Sequence, residues 1–235
     1  MTSLSIAALA ERFPGFRVAV VVGEGLTIPG PRSPRLDSEI RAVETRCRAR
    51  WAGTELSAIP GVAAWRGAYR AFGIKKTSYR SSVERLIKRV LAGDAIPNVN
   101  ALVDLYNAAS IESGLCMGCD DLDAIEGDLA FRFSRPGDSF LDMSAAEGDD
   151  PNDPPKDGEV VYADGAHVLC RRWNWRQDAR SLVTPSTRNI VLTAQSNRAG
   201  DVGEAARRLI ETLVRECGGE SLVFIADRAT PTIAF

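Results

Sequence analysis

The chain predicts a mixed α+β domain with a largely antiparallel β core flanked by helices. Three observations carry that expectation. The run Phe16-Arg-Val-Ala-Val-Val-Val-Gly23 is apolar apart from Arg17 and ends at glycine, as a strand buried in a sheet does. Helical stripes fill the stretch before residue 114 and return at 202. Beyond Cys116 the texture changes to short β-rich runs separated by Pro-Gly, Asp-Gly and Ser/Thr punctuation.

Taken in order, Ile6, Leu9 and Phe13 stand at helical spacing and predict a short opening helix before the strand at 16–23. Gly23-Glu-Gly25 follows that strand, but the third glycine of a dinucleotide fingerprint is misplaced. Pro29, Pro31 and Pro34 occupy the stretch where its phosphate-binding helix should run, so that reading is set aside. Leu36, Ile40, Val43, Cys47 and Trp51 mark one face of the next helix. Another begins at Leu56 or Gly61 and ends at Phe72 before Gly73. Val83, Leu86, Ile87, Val90 and Leu91 form the cleanest stripe in the sequence, with Ser81-Ser-Val-Glu84 offering a capping box and Gly93 a stop. A helix from Asn98 or Asn100 to about Glu112 stops at Gly114. Residues 129–133, 159–162, 166–171 and 189–193 read as strands, with a hairpin turn over 162–167. The acidic, proline-broken loop 147–158 lacks the EF-hand register, which sets calcium aside. A helix over 202–217, a Gly218-Gly219 cap and a strand at 221–226 close the chain.

Composition narrows the function classes. The 235 residues suit one large domain or a domain with an extension, and they resemble an ordinary globular protein in apolar and charged content. A single histidine, His167, excludes a multi-histidine metal centre and disfavours Ser-His-Asp hydrolysis; in a strand it reads as a packed or surface residue. Five cysteines, an odd number inside apolar or helical patterns, argue against a secreted disulfide framework. Cys116-Met-Gly-Cys119 is the only CxxC and lacks the second pair a structural zinc site needs, so both read as structural thiols. The N-terminus lacks a positive leader and no apolar run reaches bilayer length, so a cytoplasmic protein is expected. Neither cofactor nor metal is expected.

The net charge of -2 conceals an uneven distribution. Arg66, Arg70, Lys75, Lys76, Arg80, Arg85, Lys88 and Arg89 face the lone acid Glu84 between residues 66 and 89, while acids cluster over 120–159. Such a run is either a solvated basic helix or a nucleic-acid face. Asn100, Asp104 and Asn107 fall at i, i+4, i+7, which reads as a polar pocket lining or as a cap followed by two solvated residues. In Arg171-Arg-Trp-Asn-Trp-Arg-Gln177 a strand would put both tryptophans on one face; arginine interleaved with aromatics suits nucleotide stacking and phosphate contact, or a core strand with paired arginines.

Several ordered motifs then point to one family. Tyr79-Arg-Ser-Ser-Val-Glu-Arg-Leu, Ile96-Pro-Asn-Val-Asn-Ala-Leu-Val-Asp-Leu-Tyr-Asn107, Gly127-Asp-Leu-Ala-Phe-Arg132, Gly158-Glu-Val-Val-Tyr-Ala-Asp164 and Cys170-Arg-Arg-Trp-Asn-Trp-Arg-Gln177 resemble the B3/4 domain of the phenylalanyl-tRNA synthetase beta subunit, in a free-standing form. The resemblance divides the chain into an N-terminal extension over 1–64, a B3/4-like domain over 65–200, and a C-terminal helix and strand over 201–235 that complete the same globule. It implies a tRNA-binding protein that receives the 3′ aminoacyl end and hydrolyses the ester of mischarged tRNA in trans, using a positioned water. The alternative is a non-catalytic tRNA-, RNA- or amino-acid-binding protein that kept the fold. On this reading Asn100, Asp104, Asn107 and Gln177 are the candidate catalytic residues. Tyr79, Arg80, Ser110, Met117, Gly118, Arg171, Arg172, Trp173, Asn174 and Trp175 are the candidate substrate-binding residues. Gly118 stands where the family carries a histidine, leaving room for the aminoacyl group. No glutamate lies over 177–179, where the synthetase has one that recognises tyrosine's hydroxyl.

Overall fold

The computed structural model describes residues 2–75 and 78–235; Lys76 of the basic run lies outside the described residues. Two mostly antiparallel sheets and five α-helices make a mixed α+β fold. The strands are β1 (Ser3–Ser5), β2 (Phe16–Glu24), β3 (Cys116–Asp121), β4 (Leu129–Phe133), β5 (Val160–Ala163), β6 (Val168–Arg171), β7 (Arg176–Gln177), β8 (Ile190–Asn197), β9 (Glu220–Ala226) and β10 (Thr232–Ala234). The helices are α1 (Pro34–Trp51), α2 (Pro60–Ala71), α3 (Ser82–Leu91), α4 (Ala101–Ser113) and α5 (Val202–Cys217). One sheet runs β10-β1-β4-β5-β6-β7 and the other β3-β8-β2-β9, and among the described residues only the β1/β4 pairing is parallel. Segments 1–64 and 201–235 thus supply strands to both sheets.

The valine row of β2 is buried because the strand lies between β8 and β9 and packs against α5. α4 starts at Asn100, whose Oδ1 accepts from Val103 N, and ends at Gly114 in the left-handed region at φ 75°. α2 presses on that end: a Cβ on Gly61 would run into the carbonyl oxygen of Gly114. Gly61→Ala is therefore expected to cost about 1–3 kcal/mol, measured as a shift in the urea midpoint, because backbone cannot swing aside as a side chain can.

Three local expectations are corrected, and one element is added. Residues 3–13 form β1 and one 3-10 turn over Ala7–Leu9 instead of a helix. Ile6, Leu9 and Phe13 are buried as their spacing suggested, but pairing of β1 with β4 and β10 outweighs local helical preference. The capping box is absent: Ser81 makes no side-chain cap bond, and the carboxylate of Glu84 takes Arg66 at 2.7 Å and Arg80 at 3.0 Å. Residues 116–121 are a strand that the sequence reading had not placed. Residues 171–177 are not one strand. The chain leaves β6 at Arg171, turns through 172–175 with φ of 46° at Arg172 and 70° at Trp173, and re-enters as β7.

That turn explains the two tryptophans. Trp173 is wholly buried, meeting Phe13, Phe16 and Trp65 edge-on at 4.7, 4.8 and 5.3 Å. Trp175 stays at the surface end, with the guanidinium groups of Arg172 and Arg176 over its ring at 4.2 and 4.5 Å. The turn is fastened to α3, since Ser82 N donates to Asn174 O at 3.0 Å and Arg85 Nη1 to Trp175 O at 3.1 Å.

Candidate functional site

A cavity of about 720 Å³ opens where the two sheets meet beneath α3 and α4. β3 and β8 supply one wall. Their register sets Gly118 opposite Thr193 and Cys116 opposite Gln195, and period-2 alternation puts Gly118, Asp120, Thr193 and Gln195 on one face. β5, β6, β7 and the 172–175 turn supply the other wall with Tyr162, Leu169, Cys170, Asn174, Trp175 and Gln177. Asn107 and Tyr106 reach in from α4.

The floor is a connected polar network. Tyr69 Oη donates to Asn174 Oδ1 at 3.0 Å, Asn174 Nδ2 to Gln195 Oε1 at 3.1 Å, and Gln195 Nε2 to Thr193 Oγ1 at 3.0 Å. Beside it, Gln177 Nε2 donates to Cys119 O at 2.7 Å and to Asp120 Oδ1 at 2.8 Å, and Ser181 Oγ donates to the same Oδ1 at 2.7 Å. Networks of this sort hold side chains in one arrangement. Gly118 leaves the wall open: a Cβ built there meets nothing within 4 Å.

The mouth is positive. Arg80, Arg85, Lys88, Arg89 and Arg176 border it, against the exposed Asp94. Arg80 is paired with Glu84 and Arg176 with Asp142, whereas Arg85, Lys88 and Arg89 have no carboxylate partner among the described residues. A mouth bordered by such cations suits an anionic chain approaching from solvent.

Burial of Asp120 raises its pKa from the ordinary carboxylate value of 3.8 to about 7, with Asp178 and Asp164 adding to the rise and Ser181 and Gln177 opposing it. The native state therefore holds this proton more tightly than the unfolded chain. The resulting stability is fully present below about pH 4 and is lost as pH rises through about 7. Asp120→Asn should flatten this fall, so that the variant gains on the wild type between about pH 5 and about pH 8 in urea midpoint. Parallel curves would contradict it.

The predicted site residues fall into two groups. Arg80, Asn107, Met117, Gly118, Asn174, Trp175 and Gln177 border the cavity. Tyr79, Asn100, Asp104, Ser110, Arg171, Arg172 and Trp173 lie outside its lining. Asn100 caps α4 and donates to Val183 O at 3.3 Å. Asp104, wholly buried, holds Arg32 at 2.7 Å and Val99 N at 2.9 Å, so the i, i+4, i+7 set is divided among three surroundings. Ser110 donates to Leu115 O. Arg171 is wholly buried, with Nε and Nη2 each 2.9 Å from Glu159. Arg172 lies against both Tyr79 and Trp175, 3.9 and 4.2 Å from their centroids, the two rings themselves meeting edge-on at 5.1 Å.

Sequence reading missed Asp120, Tyr162, Thr193 and Gln195. The placement of Thr193 and Gln195, two positions apart and directly after the apolar run Ile190-Val-Leu192, was the available signal for the last two. Asp120 carried the weaker sign of two positions from Gly118 on a strand face.

The B3/4 domain model matches residues 64–212. The chain belongs to the B3/4 domain family. This B3/4 protein is 31% identical over 144 residues to the phenylalanine-tRNA ligase beta subunits of Bordetella pertussis and Bordetella parapertussis. The match takes in 60% of the chain and 17% of each relative, so the chain spans a small part of their length. Among solved structures it is similar to an N-terminal fragment of the phenylalanyl-tRNA synthetase beta subunit from Pyrococcus horikoshii, with a TM-score of 0.43 and 11% identity over 94% of this chain and 54% of that one. The B3/4 protein is thus related to a domain of a tRNA synthetase subunit. No helix among its described residues is long and apolar enough to cross a membrane.

Proposed function

We propose that this protein hydrolyses the ester of mischarged aminoacyl-tRNA in trans, in the cytoplasm, by orienting a water. The observation that carries the reading is the pairing of a cationic mouth with a polar-floored cavity of about 720 Å³. Arg85, Lys88 and Arg89 meet the phosphates of the tRNA 3′ end, and the aminoacyl group enters over Gly118. An aminoacyl ester is already activated. The protein's task is to hold ester, water and terminal ribose hydroxyl in register and to give hydrogen bonds to the oxyanion.

In this reading Asn107, Asn174 and Gln177 face the ester. Asn100 and Asp104 act at one remove by fixing the start of α4, and Arg171, Arg172 and Trp173 by fixing the turn that carries Asn174. Incubation with a panel of mischarged tRNAs tests the proposal. At least one ester is expected to decay faster than in buffer, with binding that weakens steeply as salt rises, one phosphate-sized increment for each cation engaged. Ester lifetimes equal to the buffer control throughout the panel would sink it.

A further inference from the structure

The floor of the cavity contains a carboxylate without a cation. Asp120 is 4% exposed, and both of its hydrogen bonds, from Gln177 and Ser181, fall on Oδ1. Neither donor is charged, no ion pair reaches Asp120 among the described residues, and Oδ2 receives no hydrogen bond from them. Arg176, beside Gln177 on β7, is occupied by Asp142. A second polar atom in the same lining is also unsatisfied: the hydroxyl of Tyr162, a residue 2% exposed, has no partner. A buried polar group without a partner costs free energy; the Tyr162 hydroxyl is one, on the wall facing that of Asp120, whose Oδ2 has no donor among the described residues.

We propose that Asp120 is the counter-ion for the α-ammonium group of the acylated amino acid, received at Oδ2 while Gln177 and Ser181 hold Oδ1 in place. The inference rests on the reading that the occupant is an aminoacyl ester and adds which end of it is recognised. Charge is then matched along the ligand, with phosphates at the arginine and lysine mouth and the ammonium at the carboxylate on the floor. A primary amine supplies three donors and a positive charge. An N-acylated amine has lost the charge and two of the donors. The site therefore selects free aminoacyl groups over N-formyl or N-acetyl ones. The raised pKa of Asp120 in the empty cavity fits a carboxyl whose cation arrives with the ligand.

The test uses 3′-aminoacylamino-3′-deoxyadenosines carrying glycyl, seryl and phenylalanyl groups, whose amide link resists hydrolysis, each beside its N-acetyl derivative. Calorimetric titration of the full chain is expected to show a free amine bound about ten- to a hundredfold more tightly than its N-acetyl partner, the range of a hydrogen-bonded charge. In Asp120→Asn the two should converge. Equal affinities for every pair in the wild type, no binding of any probe, or an undiminished preference in Asp120→Asn overturns the assignment. The wild-type comparison does not depend on a variant folding. Deacylation assays separate this from the proposed activity: preference for the free amine with inert esters keeps Asp120 and sinks hydrolysis, and equal hydrolysis of free and N-acetylated aminoacyl-tRNA does the reverse.

Discussion

Arg171→Met is expected to lower stability by about 3–5 kcal/mol. The guanidinium is wholly enclosed and meets Glu159 through two nitrogens at 2.9 Å each, with a further bond to Asp153 O at 2.7 Å. Glu159 is 4% exposed and also accepts from Arg172 N at 3.1 Å, so removing the arginine leaves a buried carboxylate whose remaining cation, Arg172 Nε, is 3.8 Å away, and loosens the turn with positive φ. Urea denaturation measures it. The double variant Arg171→Met/Glu159→Leu should recover much of the loss, because breaking a buried pair costs more than replacing both members. If Arg171 instead met phosphate directly, stability would be unchanged and only tRNA affinity would fall.

Gly118→Phe is expected to cut ester hydrolysis about a hundredfold or more while leaving the unfolding midpoint nearly unchanged. Backbone strain is not involved, since Gly118 is outside the left-handed region, and the space beyond its Cα is open. A ring there occupies the volume in which the aminoacyl group would sit, and displacement of a reacting ester by as little as an ångström carries a loss of that order. A β-strand accepts phenylalanine readily. Rates and thermal unfolding measured on the same preparation check both halves. Wild-type rates in Gly118→Phe would remove the cavity from the reaction, and a collapse of stability would mean that the glycine is structural.

The helices were legible because each buries one stripe whose spacing is local: α1, α3 and α5 lie where their apolar residues recur. Of the candidate site, the half carried by Asn107, Gly118, Asn174 and Gln177 was within reach, since each belongs to a motif that could be read in order. The rest depended on partners far away in sequence. Asp104 fits the spacing of Asn100 and Asn107, yet its destination is decided by Arg32, 72 residues earlier. Asn100 shares the spacing but not the helix, because its extended backbone, φ -156° and ψ 167°, places it before the first turn. Asp120 becomes notable only when Gln177 and Ser181, 57 and 61 residues later, close over it. The run 171–177 has the alternation of a strand and forms a turn, because the aromatic core takes Trp173 and α3 takes the carbonyls on either side.

The strand order has a consequence for how the protein is made. β2 must wait for β8 and β9, and β1 for β4 and β10, so in each sheet an early strand is completed by segments synthesised much later. Until then the valine row of β2 is an uncovered, aggregation-prone ribbon. Such distant pairing also slows folding, because long loops must close before any contact rewards them. The nascent chain is therefore the form most in need of a chaperone, and that need falls as β8 and β9 cover β2.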